Sequence, residues 1–505
     1  MRIRILAAAF IGLVAFTLSW AGPAKAAWRR AESPNFILYG NLTEGELRRR
    51  ILRLEEFDRL LRVMTGVTEP PAPNRLPIYI VATPRELTTI RDLPPNTAGF
   101  YSAEPSGIAA FIDNSAEVSG NEILFHEYAH HFMSQYRPSA YPAWYVEGFA
   151  EYFMTARFDS RGVDTGLSAP GRAYLTVQGR WLPMEQFLHG SPHSMGRADA
   201  EQFYAQSWIT THYFFSTPER QAALNRYLTA VRGGNSRGAL LASTGMDEAA
   251  FAVELRRYVH GRITYGRLTL AQPATPPRVT VVTLPPGADD LMIYWATLSI
   301  GMSEEQARTY LPRIRAAAAR NEGDPFALRV LAQAELLFGD REEADRILDR
   351  LLASSPNDAE LLYLKGMRYL AAAEHEADWQ ADARTARQWL GRAHRADANH
   401  FQTLVLYSQS LRRDPDYRSE NNLNVMMLAH RLAPQVPELT MNAAALLIDR
   451  REYALAMSLL RPLAADPHRT RLARAAQELI DQAQTAAASP AAIGRGNPSP
   501  QQQPN

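Results

Sequence analysis

The pentapeptide His126-Glu127-Tyr128-Ala129-His130 restricts the fold of this chain more than any other feature of its sequence. Two histidines four positions apart lie on one face of a helix, where both imidazoles can reach the same ion. Apolar residues recur at helical spacing through the segment: Phe125, Ala129, Phe132, Met133 and Tyr136. We predict a helix with both histidines flanking its buried face, Glu127 beside them, and His131 in solvent.

A catalytic zinc site needs a third protein ligand and leaves its fourth position open. The segment Tyr141–Phe153 predicts a second helix, because Pro142 suits a first helical turn and Trp144, Glu147 and Glu151 then share a face. A loop after His130 lets the two helices pack together, so Glu147 is a candidate ligand. The alternative is an ordinary pair of helices with polar residues. The absence of Cys excludes thiolate ligands and disulfides.

These two segments resemble the gluzincin zinc metallopeptidases, and in particular their peptidase-MA-like branch, where H-E-x-x-H precedes W-x-x-E-G-x-A-E-[YF]. Here the second motif reads WYVEGFAEY. The resemblance covers about residues 36–213, and its specific part is 125–153. It implies one Zn²⁺ per chain and these roles: His126, His130 and Glu147 as ligands, Glu127 as general base, and Glu151 as a carboxylate orienting a ligand histidine.

The class with a third histidine ligand is excluded, because Met133 and Tyr136 occupy its Gly and His positions. A donor to the oxyanion is still needed, and the segment FYAQSWITTHYFF offers Tyr204, His212 and Tyr213. Resemblance to the Y-x-Q-S segment of the same branch favours Tyr204; the alternative is a packing aromatic. Gluzincins bind substrate as an added strand, and we predict Gly107–Asp113 to be that edge.

Strand-like segments alternate with helices at first, and helices alone follow from about residue 121. This order predicts an α+β gluzincin-like metallopeptidase domain over residues 27–270, with a small mixed sheet and a helical lobe. Its first long helix begins with a predicted capping box, Thr43 with Glu46. The Pro-rich stretch 271–290 predicts a linker, although VTVVTL within it is able to pair as a strand.

Residues 291–484 predict a second, all-α domain. Small residues recur at a spacing of about 34, as where Gly366 aligns with Ala332, and this period resembles a tetratricopeptide-like solenoid. The alternative is a helical bundle without repeats. The concave face of such an array predicts a protein partner. The tail 485–505 has low complexity and is predicted to be disordered.

Residues 1–26 have the charged start, apolar run and A-x-A site of a signal peptide. The alternative is an uncleaved anchor; no other stretch is apolar enough to span a membrane. We expect a periplasmic or secreted protein without a membrane span after cleavage. A net charge of +1 without a basic stripe argues against a nucleic-acid partner.

The sequence therefore predicts a zinc-dependent peptidase acting on a peptide or protein substrate. Endopeptidase action is slightly favoured, because the chain has no Gly-x-x-Glu-Asn-like segment of the kind that anchors a free amino terminus. Two alternatives stay open. One is a metal-binding repeat scaffold without turnover, and the other is a hydrolase acting on a non-peptide amide.

Overall fold

The computed structural model describes residues 27–94, 97–115, 120–233, 236–270, 276–373, 379–468 and 470–488. The predicted signal peptide, residues 271–275 of the predicted linker and residues 489–505 of the predicted tail lie outside these ranges. Within the described ranges, none of the helices has the length and apolar character that a bilayer crossing requires.

The described residues form nine strands: β1 Arg29–Glu32, β2 Phe36–Gly40, β3 Leu76–Val81, β4 Gly99–Glu104, β5 Gly107–Asp113, β6 Arg157–Asp159, β7 Gly162–Thr165, β8 Gly266–Leu268 and β9 Thr280–Thr283. Six of them form a mixed sheet at the base of the first half of the chain, in the order β4-β5-β3-β2-β1-β9. The central pairs β2–β3 and β3–β5 are parallel, and the outer pairs are antiparallel. The other three form a smaller sheet in the order β6-β7-β8.

The positions of β5 and β9 bear on two of the sequence predictions. Gly107–Asp113 is not an edge, because β5 lies between β4 and β3; alternation alone cannot tell an edge strand from its hairpin partner. Within the predicted linker 271–290, β9 pairs with β1, as the VTVVTL pattern allowed. The first domain thus continues past residue 270.

Ten helices among the described residues accompany these sheets: α1 Glu44–Thr65, α2 Pro84–Ile90, α3 Gly120–Tyr136, α4 Ala143–Met154, α5 Pro170–Gln178, α6 Met184–His189, α7 Arg197–Phe215, α8 Pro218–Arg232, α9 Ser236–Thr244 and α10 Glu248–Val259. Helix α1 begins with the predicted capping box between Thr43 and Glu46. Its apolar face and that of α3 pack on the sheet, where Phe57 and Phe125 stack with ring centroids 4.0 Å apart.

Helix α4 lies between α3 and α7 and has an unusually close contact with the latter. A Cβ at Gly148 would lie 2.1 Å from Thr211 Oγ1 and 2.5 Å from the carbonyl oxygen of Ser207. Only glycine allows the two backbones to approach this closely. On the other side of α4, the carboxylates of Glu147 and Glu151 face the histidines of α3.

The rest of the described chain consists of consecutive helices: α11 Gly287–Ser299, α12 Glu304–Arg320, α13 Pro325–Phe338, α14 Arg341–Ser354, α15 Ala359–Ala373, α16 Trp379–Ala396, α17 Phe401–Gln409, α18 Glu420–Leu432, α19 Pro437–Asp449, α20 Tyr453–Ala464 and α21 Thr470–Ala488. Helices α13 and α15 begin about 34 residues apart, the tetratricopeptide spacing. A Cβ at Gly366 would lie 2.7 Å from Leu390 Cδ2, so the small residue lets α15 and α16 pack closely. This region is a tetratricopeptide-like helical array.

The helical array packs directly against the first domain, although the sequence predicts a linker between them. Ala103, in the edge strand β4, is buried in the same apolar cluster as the side chains of α18–α21. Asn74 Nδ2 donates to the carbonyl oxygen of Leu432 at 3.1 Å, and Gln435 Nε2 donates to Gln135 Oε1 at 2.7 Å. The last hairpins of the array therefore lie beside helix α3.

Candidate metal centre

Helix α3 presents its two motif histidines on one side. The imidazole nitrogens His126 Nε2 and His130 Nε2 are 3.1 Å apart. Buried aromatic contacts fix the helix, and on its sheet side Tyr128 donates a hydrogen bond to Asp58 Oδ1 in α1 at 2.7 Å. The local pattern thus gives the predicted helix. Of the predicted stripe, Phe125, Ala129, Phe132 and Met133 are buried and Tyr136 is half-buried.

Helix α4 brings Glu147 to the same point. Its Oε2 atom lies 3.7 Å from His126 Nε2 and 3.6 Å from His130 Nε2. Ligands at zinc distances of 2.0–2.2 Å and tetrahedral angles are separated from one another by roughly 3.4 Å. The three nitrogen and oxygen atoms therefore have the mutual spacing of a zinc ligand set, and they form one of the two candidate metal-binding groups among the described residues.

The environment of Glu147 supports this interpretation most strongly. The side chain is 0% exposed, and within the described part of the chain neither carboxylate oxygen has a hydrogen-bond partner. Its nearest possible ion-pair partner is His468, whose Nε2 atom is 3.2 Å from Oε1, and a buried carboxylate with so few partners is costly unless it coordinates a metal. Burial accordingly raises the pKa of Glu147. A divalent cation at the histidine nitrogens would remove this penalty.

The two histidines have the protonation state that metal binding needs. Burial lowers the pKa of His126 well below its ordinary value, and the neighbouring His130 lowers it further. Burial likewise lowers the pKa of His130. Both imidazoles are therefore neutral near pH 7, and a neutral imidazole nitrogen is the form that ligates a metal.

Glu151 lies one helical turn after Glu147, with its carboxylate beside His126. Its Oε1 atom is 3.9 Å from His126 Nδ1, which is longer than a hydrogen bond. Arg172 in α5 holds the same carboxylate through two hydrogen bonds of 2.9 and 3.0 Å, and it also donates to Glu201 at 2.6 Å. The orienting role of Glu151 toward a ligand histidine therefore stays a prediction.

The carboxylates of this centre affect the pKa values of Glu127 and Tyr204. Burial raises the pKa of Glu127 to about 6, and the charge of Glu147 contributes to that increase. Burial raises the pKa of Tyr204, and the carboxylates of Glu147 and Glu151 raise it further. The Arg172 guanidinium carbon is 5.1 Å from the Tyr204 ring centroid.

The other two candidate donors in α7 make contacts in a different part of the helical lobe. His212 Nδ1 is 2.7 Å from the hydroxyl oxygen of Tyr258, and burial lowers its pKa to about 4. Tyr213 packs edge-on against Phe251, with ring centroids 5.7 Å apart. Of the three candidates, Tyr204 is the one influenced by the charges of the centre.

The prediction that His131 is solvated is wrong. The residue is 7% exposed, its Nδ1 atom is 2.9 Å from the hydroxyl oxygen of Tyr101, and its Nε2 atom is 3.4 Å from Gln435 Nε2. Burial lowers its pKa to about 3. Helical periodicity placed His131 opposite the apolar stripe of α3, but strand β4 and the helical array cover that face.

Sequence reasoning missed two histidines that lie beside the centre. His468, in the turn after α20, has its Nε2 atom 3.2 Å from Glu147 Oε1. His193, in the 3₁₀ turn Pro192–Ser194, lies on the far side of His468. With Glu147 they form the second candidate metal-binding group of the described residues. Neither lies in a motif, so no signal in the sequence pointed to them.

The described residues thus define a class of protein: an α+β domain with a candidate metal centre, joined to a tetratricopeptide-like helical array. No family model matches the chain, and no curated protein matches it. Among solved structures it is similar to a thermophilic TPR protein of Thermus thermophilus. That match covers 38% of this chain and 98% of the other, with 17% sequence identity and a TM-score of 0.33.

Proposed function

We propose that this chain is a zinc-dependent peptidase of the gluzincin kind, with one Zn²⁺ per chain. The buried Glu147 carboxylate carries the proposal, because it faces two neutral imidazoles without a hydrogen-bond partner among the described residues. Two histidines and one carboxylate are the donor set of catalytic zinc in gluzincin peptidases, which leave a fourth position open. The residues present therefore fit the ion.

The three proposed metal ligands and Glu127 have separate roles in amide hydrolysis. Zn²⁺ held by His126, His130 and Glu147 would polarise the scissile carbonyl and lower the pKa of the attacking water. Glu127 accepts the proton of that water and passes it to the leaving amine. Burial raises the pKa of Glu127 in the metal-free chain, which favours a carboxyl group that both accepts and releases a proton.

The candidate metal centre lies beside a cleft that could hold the substrate. A cleft of about 250 Å³ opens between α3 and the last repeats, and His130 and Asp466 are among the residues that line it. An extended peptide is the substrate that we propose for this cleft, with the helical array binding a protein partner or part of the substrate. The predicted signal peptide places this activity in the periplasm or outside the cell.

The experiment that tests this function uses the mature chain with and without metal. We expect the chain loaded with one Zn²⁺ to cleave members of an unbiased peptide library, the chelated chain to cleave none, and added Zn²⁺ to restore cleavage. If the chain acts as an endopeptidase, we expect it to cleave internal bonds of peptides whose two termini are blocked. A loaded chain that leaves the whole library intact would contradict the proposal.

Tyr204 is the proposed donor to the oxyanion. Replacing Tyr204 with Phe removes the hydroxyl but keeps the ring, so we expect kcat to fall by roughly 10²–10³-fold with zinc content and KM nearly unchanged. Tyr174, which is 66% exposed in α5, offers a control for the same substitution. Equal kcat in Tyr204→Phe and the unaltered chain would leave Tyr204 as a packing residue.

One observation favours a second candidate function, a metal-binding scaffold without turnover. The His468 imidazole of the helical array lies 3.2 Å from Oε1 of Glu147 in the first domain, so a metal bound by Glu147 would have residues of both parts of the chain beside it. In that case the metal would join the helical array to the first domain. Zinc binding without cleavage, both in this chain and after removal of His468, would support the scaffold.

A further inference from the structure

The cleft beside the metal centre has one wall from each half of the chain. The first domain contributes Met133 of α3 and Val146 of α4, and helix α20 of the helical array contributes Leu459 and Leu463. The proposed ligand His130 lines the same cleft. A group bound in the cleft therefore lies beside the position of the metal, between the two halves of the chain.

Several polar side chains of this lining have hydrogen bonds within the protein. The Arg137 guanidinium donates to two backbone carbonyl oxygens at the end of α1, at 3.3 and 3.1 Å. His430 Nδ1 lies 3.1 Å from Thr440 Oγ1, and Ser458 Oγ donates to a backbone carbonyl of its own helix at 2.7 Å. Asp466 accepts a backbone N–H of its own turn at 2.8 Å. Aliphatic side chains and prolines surround these groups, so the cleft favours an apolar ligand over a charged one.

The size of the cleft suits one large side chain. Its volume is about 250 Å³, and an apolar cavity of about 150 Å³ is enough to hold benzene. Transfer of an apolar side chain from water into such a site is favourable in proportion to the area that is buried. An extended peptide that reaches the metal centre presents its side chains in turn, so a leucine, methionine or phenylalanine next to the scissile bond is able to enter the cleft.

Contacts between the two halves of the chain hold α20 at this distance from α3. Gln435 Nε2 donates to Gln135 Oε1 at 2.7 Å, and Ser191 Oγ donates to the carbonyl oxygen of Pro467 at 3.1 Å. Leu460 of α20 is buried in the apolar cluster of α18–α21. The helical array is thus a fixed wall of the cleft, and the cleft requires both halves of the chain.

We propose that this cleft binds a large apolar side chain of the peptide substrate next to the cleaved bond, and that Leu459 of the helical array is a residue that selects it. The selection among peptides rests on the proposed peptidase function, whereas the binding of an apolar group beside the zinc ion requires no turnover. Leu459 is not a catalytic residue, because the proposed ligands and general base all lie on α3 and α4. The array then acts on substrate selection and not on the chemical step.

Two hydroxamates of different size test the cleft without turnover. Both bind zinc through the same group, but 4-methylpentanohydroxamate has an isobutyl group in place of one methyl hydrogen of acetohydroxamate. We expect the zinc-loaded mature chain to bind the larger probe at least ~10-fold more tightly in titration calorimetry, because each buried CH₂ group contributes roughly fourfold to affinity. Equal affinity for the two probes would overturn the proposal.

Variants of α20 assign the preference for the larger probe to the helical array. Leu459→Ser removes apolar surface, and Ser458→Trp fills the cleft from an exposed position, so each should reduce the preference by ~5-fold or more. Ser458→Trp removes no buried side chain, so it reports on the cleft even if Leu459→Ser lowers stability. Leu455→Ser is the control and should keep the preference, because Leu455 is 43% exposed and lies outside the described lining. A preference that survives both cleft substitutions would exclude α20 from substrate selection.

Peptide cleavage separates this proposal from the peptidase function. We expect peptides with leucine, methionine or phenylalanine next to the cut to have a kcat/KM roughly 10–100-fold above that of peptides with serine or glutamate there. If the probes discriminate as expected but no peptide is cleaved, the apolar site stands and the peptidase function fails. If peptides are cleaved without preference on either side of the bond, the peptidase function stands and the proposed selection fails.

Discussion

Replacing Glu127 with Gln is expected to lower kcat for peptide cleavage by roughly 10²–10⁴-fold, while the zinc content stays at one per chain. The amide has nearly the size of the carboxylate but accepts no proton from the attacking water. Glu127 is not among the metal-binding groups of the described residues, so its loss should leave the affinity for zinc intact. The measurements are kcat on a cleaved library peptide and metal content by mass spectrometry.

Glu122→Gln is the matched control, because Glu122 lies one turn earlier on α3 and forms an ion pair with Arg157 at 2.7 Å. We expect this control to keep full activity. Cleavage by Glu127→Gln within a few fold of its parent would remove Glu127 from the mechanism.

Replacing Glu147 with Gln is expected to have opposite effects on metal binding and on the stability of the metal-free chain. Loss of a ligand should weaken zinc binding by more than about 100-fold, beyond the 10–100-fold effect of removing an outer partner. Without metal, Glu147 is buried with no hydrogen-bond partner in the described part of the chain. The neutral amide should therefore raise the free energy of unfolding by about 1–3 kcal/mol.

Thermal unfolding with and without zinc measures both effects. Zinc at about 1,000 times its Kd should stabilise the unaltered chain by about 4 kcal/mol and Glu147→Gln far less. Glu55→Gln is the control, because Glu55 is equally a buried glutamate but accepts hydrogen bonds from Ser33 Oγ at 2.6 Å and from Asn35 Nδ2 at 2.7 Å. That substitution should destabilise the chain in both conditions. Equal stabilisation of Glu147→Gln and the unaltered chain by zinc would contradict the assigned ligand set.

Helices α3 and α4, and the common face of the motif histidines, could be predicted from the sequence. Helical periodicity and a proline at a first turn are enough to predict α3 and α4, because they reflect contacts within one element. The spacing of His126 and His130 fixes their common face for the same reason. A motif resemblance then paired α3 with Glu147, and the distances of 3.6 and 3.7 Å in the structure agree with that pairing.

The features that the sequence did not predict depend on contacts between segments that are far apart along the chain. His131 was assigned to solvent because periodicity describes one helix and not what covers it. The prediction that Gly107–Asp113 is an edge is wrong because its equally regular hairpin partner β4 lies outside it in the sheet. His468 reaches Glu147 only because the helical array folds back along α3, and no local pattern specifies that docking.

The most direct test of the central claim is anomalous X-ray diffraction at the zinc absorption edge from crystals of the mature chain grown with zinc. We expect one strong anomalous peak per chain, about 2.0–2.2 Å from His126 Nε2, His130 Nε2 and a carboxylate oxygen of Glu147. A fully occupied zinc peak elsewhere, with none between these three side chains, would contradict it.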